Sequence, residues 1–222
     1  MEADAFYQNN AKVYDILDRT YFRKPATSPR NAVISAIGNE SLTVLDLCTG
    51  TGSNAIALAR AKRKVSLVGI DISGAMLERA AIKLKQAGVT TVELMQMDAA
   101  NLQFPNGKFD VVLISLVLHE IKTELAGQMI AEARRVLKTD GKLMILEWEE
   151  PVNWLQKIAF YLVKKTEPKG FEDFLKCDQD QYFARYGFQI TQTIHCDYSK
   201  VMILAKNEQR KLGDDMDKNM QI

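Results

Sequence analysis

The chain reads as an α/β domain, a doubly wound and mostly parallel sheet with helices on both faces. Three observations lead there. Residues 41–58 pass from a short β-prone apolar run (Leu42, Val44, Leu45, Leu47) through a turn holding Gly50 and Gly52 into a helical stretch; runs of that kind belong to parallel strands covered on both sides. Strand and helix patterns then alternate almost to residue 206, as βαβ units require. Finally, Asp46, Asp71 and Asp98 each follow or end one of the first three apolar runs, and the carboxyl ends of strands are where open α/β sheets bind ligands.

The first turn is the organising element. Gly50 and Gly52 have no Cβ, so the backbone can lie flat against a ligand while the helix that follows points unpaired N–H groups at it. Ala55, Ile56, Leu58 and Ala59 give that helix an apolar face. A second strand over 65–70 delivers Asp71, and Ser73 caps a helix that stops at Gly88. A third strand covers 91–95 and leads into Met97, Asp98 and Ala99. The fourth, 109–115, is nearly continuous in Val, Leu and Ile and is followed by Leu116, His119 and Glu120. A helix from Thr123 is expected to bury Leu125, Met129, Ala133, Val136 and Leu137 and to stop at Asp140 and Gly141; strand five is expected over 142–146, presenting Glu147 and Trp148. Residues 154–165 are apolar nearly all round but shorter than the roughly 20 residues that span a bilayer, which leaves a core helix, a lid or an interfacial helix open. Short helices near 171–175 and 180–187 precede a terminal pair of strands joined around 197–199.

The 222 residues suit one sizeable domain. Residues 1–40 form a leading helical segment, with Tyr7, Tyr14 and Leu17 at helical spacing and Pro25 and Pro29 as breakers. It packs on the core or covers the crevice. The domain proper runs over 41–206, and 207–222 read as a flexible tail. With 29 basic and 28 acidic residues the net charge is +1, which gives no footprint for nucleic acid and makes a small molecule the expected partner. Three cysteines without metal spacing, and no signal-peptide pattern, point to a reduced, cytoplasmic protein; no metal site is expected. Peripheral membrane contact and a homodimer stay open.

The segment 50–55 fits the dinucleotide fingerprint G-x-G-x-x-G/A, so a nicotinamide-dependent oxidoreductase is one reading. The frame beginning at Asp46 instead resembles the D-x-G-x-G-x-G motif of class I S-adenosylmethionine (SAM) methyltransferases, with Cys48 at the first glycine. The words "VLDLCTGTG", "GIDISGAMLERA" and "FDVVLISLVLHEI" are similar in particular to ubiquinone/menaquinone C-methyltransferases and to small-molecule and phospholipid methyltransferases. That resemblance implies a Rossmann-like seven-stranded sheet of order 3-2-1-4-5-7-6 with the last strand antiparallel. It also implies SAM as cofactor, S-adenosylhomocysteine as product, and a SAM site made by Asp46, Thr49, Gly50, Gly52, Asp71, Ile72, Asp98, Ala99, Ser115 and Leu116.

Methyl transfer from a sulfonium needs alignment more than acid–base help, and a base is required only when the acceptor arrives protonated. His119, Glu147 and Tyr14 are the candidates, each also readable as a packing residue. The acceptor is expected to be small and hydrophobic or amphiphilic, given the apolar 154–163 stretch and the aromatic leader. No [N/D]-P-P-[Y/F] tetrapeptide follows strand four, which argues against amide or exocyclic amine acceptors. A SAM-binding protein without turnover, or a partner-dependent subunit, is the remaining alternative.

Overall fold

The protein is described by a computed structural model covering residues 24–38, 40–62, 64–166 and 170–207. The expected Tyr7–Tyr14–Leu17 helix and the tail from 208 lie outside the described residues. A 3-10 turn at Pro25–Thr27 leads into α1 (Pro29–Ile37). Then follow β1 (Leu42–Leu47), α2 (Ser53–Ala61), β2 (Val65–Asp71), α3 (Gly74–Gln86), β3 (Val92–Gln96), β4 (Phe109–Ser115), α4 (Thr123–Val136) and β5 (Leu137–Trp148). The chain ends through α5 (Trp154–Thr166), α6 (Gly170–Lys176), α7 (Gln179–Ala184), β6 (Phe188–His195) and β7 (Ser199–Lys206).

The seven strands form one sheet in the order β3-β2-β1-β4-β5-β7-β6. β1 to β5 run parallel, and β7 runs antiparallel to both neighbours. Successive strand residues face opposite sides, and the core divides accordingly. Val44, Leu67, Val111, Leu113, Met144 and Val201 pack with α1 and α2, through Val33, Ile37, Ala55 and Leu58. Leu45, Leu47, Ile70, Val112, Ile114, Leu143 and Leu204 pack with α4 and α7, through Met129, Ile130, Ala133 and Phe183. Both faces are covered, which is why the strands read as continuous apolar runs.

Three expectations need correction. Pro29 opens a helix instead of breaking one: its fixed φ and missing N–H suit the first helical position, and α1 belongs to the packed domain through Val33 and Ile37. Leu125 is 39% exposed and is not part of the buried face of α4, which is formed by Ala126, Met129, Ile130, Ala133 and Val136. Leu137 begins β5, opposite Phe109, and residues 138–141 are an excursion before the register resumes at Val111 and Lys142. The turn expected at Asp140 and Gly141 therefore lies inside a longer strand.

Candidate functional site

The strand order reverses between β1 and β4, and the crevice outside their carboxyl ends is where a doubly wound sheet accepts ligands. Among the described residues, the two non-glycine positions with positive φ sit there: Cys48 (φ 55°), just past β1, and Leu116 (φ 54°), just past β4. A side chain in the left-handed region costs roughly 1–2 kcal/mol, and such strain gathers at functional positions.

The turn after β1 is built from several ties. Gly52 is the N-cap of α2 with φ 76°, and a Cβ there would come within 3.1 Å of the Ala80 methyl, so it serves both conformation and the close approach of α3. Gly50, at φ 55°, has open space where a Cβ would point. Its N–H donates to Asp71 Oδ2 at 2.9 Å, while Ser73 N–H donates to Asp71 Oδ1 at 2.9 Å. Asp71 thus latches the loop to the end of β2, and since each carboxylate oxygen can accept two hydrogen bonds, ribose hydroxyls remain chemically suitable partners. Ser73 caps α3 as expected, accepting from Met76 N–H. Ile72 beside it is 57% exposed, an apolar surface at the crevice edge.

Asp46 is 1% exposed and accepts from the Thr49 hydroxyl at 2.6 Å through Oδ2. Its other oxygen is buried without a hydrogen-bond partner, as is Ser115 Oγ at the end of the adjoining β4. Buried polar groups are almost always paired, so two orphaned atoms on neighbouring strand ends mark a place for a polar ligand. Burial raises the Asp46 carboxyl, the Thr49 bond pulls it back, nearby Asp71 raises it further and Arg30 offsets a little, leaving it at about 7. A cationic ammonium, as on the methionine end of SAM, is the chemistry that would restore its charge.

Beyond β3, Asp98 is exposed and its Oδ1 accepts from Ala100 N–H at 2.8 Å; Ala99 is buried. This loop is held from below by α4. Arg135 donates to the carbonyls of Phe104 (2.7 Å) and Leu102 (2.9 Å), and Glu132 accepts from Leu102 N–H at 2.8 Å. Neither residue was marked by the sequence reading. A second addition is Arg30 on α1, which donates to Asn54 at 3.2 Å and contributes to the field at Asp46. A third is Lys83, whose ammonium reaches the hydroxyls of Thr51 (2.8 Å) and Ser53 (2.9 Å) and ties α3 to the loop. A basic residue on α3 is ordinary on a helix surface and carried no distinguishing pattern.

On the other side of the reversal, His119 and Glu147 meet. His119 Nδ1 lies 2.5 Å from Glu147 Oε2, and Leu118 N–H donates to Glu147 Oε1 at 2.9 Å. Both residues are buried, at 3% and 0% exposure. The carboxylate fixes the proton on Nδ1, which leaves Nε2 as the ring atom able to accept one. Glu120 Oε1 stands 3.9 Å from Nε2. The Phe171 ring of α6 closes edge-on over the imidazole, 5.2 Å between centroids. Trp148, next to Glu147, packs with Phe160 and Phe171. Tyr14 lies outside the described residues. Asp46, Thr49, Gly50, Gly52, Asp71 and Ile72 are brought to one crevice edge with Ser115 and Leu116, and Asp98 and Ala99 follow the neighbouring β3.

Comparison with known proteins gives the following. A family described as "Methyltransferase domain" matches residues 44–141. The chain is 34% identical over 152 residues to a ubiquinone/menaquinone biosynthesis C-methyltransferase of Citrifermentans bemidjiense, covering 66% of this chain and 63% of that protein. It therefore spans less than two thirds of that relative's length. It is 35% identical over 178 residues to a demethylmenaquinone methyltransferase of Staphylococcus aureus, covering 79% of this chain and 72% of that protein. A solved SAM-dependent methyltransferase of Aquifex aeolicus superposes with a TM-score of 0.69 at 19% identity, covering 89% and 97% of the two chains; at that identity the likeness is one of fold.

Proposed function

The chain belongs to the class I SAM-dependent methyltransferase family, and on that premise we propose that it moves a methyl group from SAM to a small, hydrophobic or amphiphilic acceptor by in-line displacement. The observation that carries this reading is the edge at β1, β2 and β4, where Asp71 latches Gly50 and the buried Asp46 Oδ1 and Ser115 Oγ await polar partners. In this assignment Asp71 and Ile72 hold the ribose side, Asp98 and Ala99 the adenine, Thr49, Gly50 and Gly52 the loop against the nucleoside. Asp46, Ser115 and Leu116 line the methionine end. The bound cofactor supplies a methyl group on a sulfonium, already activated toward a nucleophile. The protein's own work is to fix the approach line and exclude water, and positioning of this kind is worth on the order of 7–11 kcal/mol of barrier.

The relatives' names direct the acceptor toward a reduced quinone ring. A quinone is electrophilic, whereas its hydroquinone is a carbon nucleophile once a phenolic proton is drawn off. His119 Nε2 is the candidate base, oriented by Glu147 through Nδ1 and with Glu120 placed to accommodate the imidazolium. Tyr14 is kept as a further candidate at the acceptor. Three free thiols, Cys48, Cys177 and Cys196, suit a cytoplasmic setting.

One observation favours a second reading, SAM binding without turnover: Phe171 covers His119, which is 3% exposed. Incubation with methyl-labelled SAM and a reduced short-chain naphthoquinone or benzoquinone separates the two. Label in the organic phase supports transfer. Saturable SAM binding with no label transferred to any reduced quinone or phenol supports the binding-only reading.

A further inference from the structure

We propose that the outward face of α5 is a docking surface for an anionic lipid bilayer. The helix is apolar on two sides for two different reasons. Phe160 and Val163 point inward, buried at 1% and 2% exposure, and pack with Trp148 and Phe171. Trp154, Leu155, Ile158 and Tyr161 point the other way and are 68%, 58%, 61% and 55% exposed; Val152 just before them is 96% exposed. At about 100° per residue, Trp154, Ile158, Tyr161 and Lys165 fall within a sector of about 60°, with Leu155 about 60° beyond it on the flank. Single exposed apolar residues are ordinary, but a contiguous stripe where a surface helix should be polar marks a contact.

Charge selects the occupant. α5 carries Lys157, Lys164 and Lys165 and no acid. Lys164 is ion-paired to Glu150 at 3.0 Å, while Lys157 and Lys165 are exposed, the latter with its ammonium 4.9 Å above the Tyr161 ring. A two-fold contact between copies of the chain would set the same lysines against one another with no acid on the helix to meet them. A membrane surface supplies anionic headgroups to the lysines, an interfacial layer to Trp154 and Tyr161, and acyl chains to Leu155 and Ile158. At 13 residues the helix lies in the plane of the interface and does not cross it.

The surface is continuous with the site. Phe160 and Val163 pack with Phe171, and Phe171 covers His119. Docking on α5 therefore places an acceptor dissolved in lipid one helix away from the ring that covers His119. That last consequence rests on the proposed transfer reaction; the docking itself does not.

The test is co-sedimentation of the full chain with vesicles of phosphatidylcholine alone and of phosphatidylcholine with about one third phosphatidylglycerol, without SAM or acceptor. Trp154 is an internal reporter, because the other tryptophan, Trp148, is already buried. Binding to the anionic vesicles with a blue-shifted emission is expected, weakening with salt. Ile158→Asp should lower the partition coefficient at least tenfold, and the double variant Lys157→Glu, Lys165→Glu should abolish the preference for anionic lipid. Equal binding by wild type and Ile158→Asp, or none by wild type, overturns the proposal. So does a Trp154 emission already shielded from acrylamide before lipid is added, which would mean that the chain covers its own helix. A dimer in solution that Ile158→Asp dissociates also overturns it. A SAM titration of Ile158→Asp separates this from the transfer reading: unchanged SAM affinity with lost vesicle binding is the expected pair, whereas loss of SAM binding in wild type would strike the transfer reading alone.

Discussion

His119 Nδ1 lies 2.5 Å from Glu147 Oε2, joining the segment after β4 to the end of β5 inside the core. One ring nitrogen is thereby committed and the other is set for proton transfer. His119→Ala is expected to lower kcat by roughly 10²–10⁴, the range that general base catalysis contributes, with KM for SAM changed less than about twofold. Glu147→Gln should cost less in kcat, because the ring stays while its orientation loosens. His119→Ala should also lose the low-pH limb of the kcat profile, whereas Glu147→Gln, which retains the imidazole, should keep it. Unchanged kcat and pH profile in both would make the pair a structural tie between strands and nothing more.

Asp46 gives a pH dependence with a definite sign. Its ordinary value of 3.8 rises to about 7 in the folded protein, chiefly through burial. Between those values the folded state binds more protons than the unfolded one, so stability falls as pH rises from about 4 to about 7, at up to about 1.4 kcal/mol per unit. Asp46→Asn, which keeps an acceptor for Thr49, should make the ligand-free protein more stable than wild type at pH 8, and the gap should close below pH 4. Denaturant melts at both values decide it. If the ammonium of SAM faces Asp46, binding at pH 6 should also release a proton, seen as a dependence of the calorimetric heat on buffer ionisation enthalpy.

Cys48 holds a left-handed conformation that glycine adopts at no steric cost. Cys48→Gly and Cys48→Ala both remove the thiol, but alanine retains the strain. The glycine variant is expected to be the more stable by about 1 kcal/mol, or roughly 2–4 °C in Tm for a domain of this size. That order reverses the usual one between alanine and glycine. Equal melting temperatures would show that the turn relaxes and that no strain is stored at this position.

The sheet was legible because its signal is local. Val44 to Leu47, Val65 to Ile70 and Phe109 to Ile114 are apolar on both faces, and glycines and acids punctuate them. The loop's ligand edge was legible for the same reason, with Asp46, Gly50, Gly52 and Asp71 close in sequence. What escaped depends on contacts across the fold. Glu147 and His119 are 28 residues apart, and no periodicity announces such a pair. Asp140 and Gly141 carry turn chemistry, yet β4 captures the chain on both sides of them, so tertiary pairing overrides the local preference. Arg135 looks like an ordinary cation at the end of α4, and only the fold brings the carbonyls of Leu102 and Phe104 to it. The two apolar faces of α5 could not be told apart until Phe160 and Val163 were seen to face inward.

The central claim is that Asp71, latched to Gly50, holds an adenosyl sulfonium. The most direct measurement is a calorimetric titration of SAM into wild type and Asp71→Ala, with NAD+ titrated in parallel. Losing charge-assisted hydrogen bonds costs about 1.5–3 kcal/mol, so the variant should bind SAM at least tenfold more weakly while wild type shows no heat with NAD+. Equal SAM affinity in the two proteins, or saturable NAD+ binding by wild type, would contradict the account.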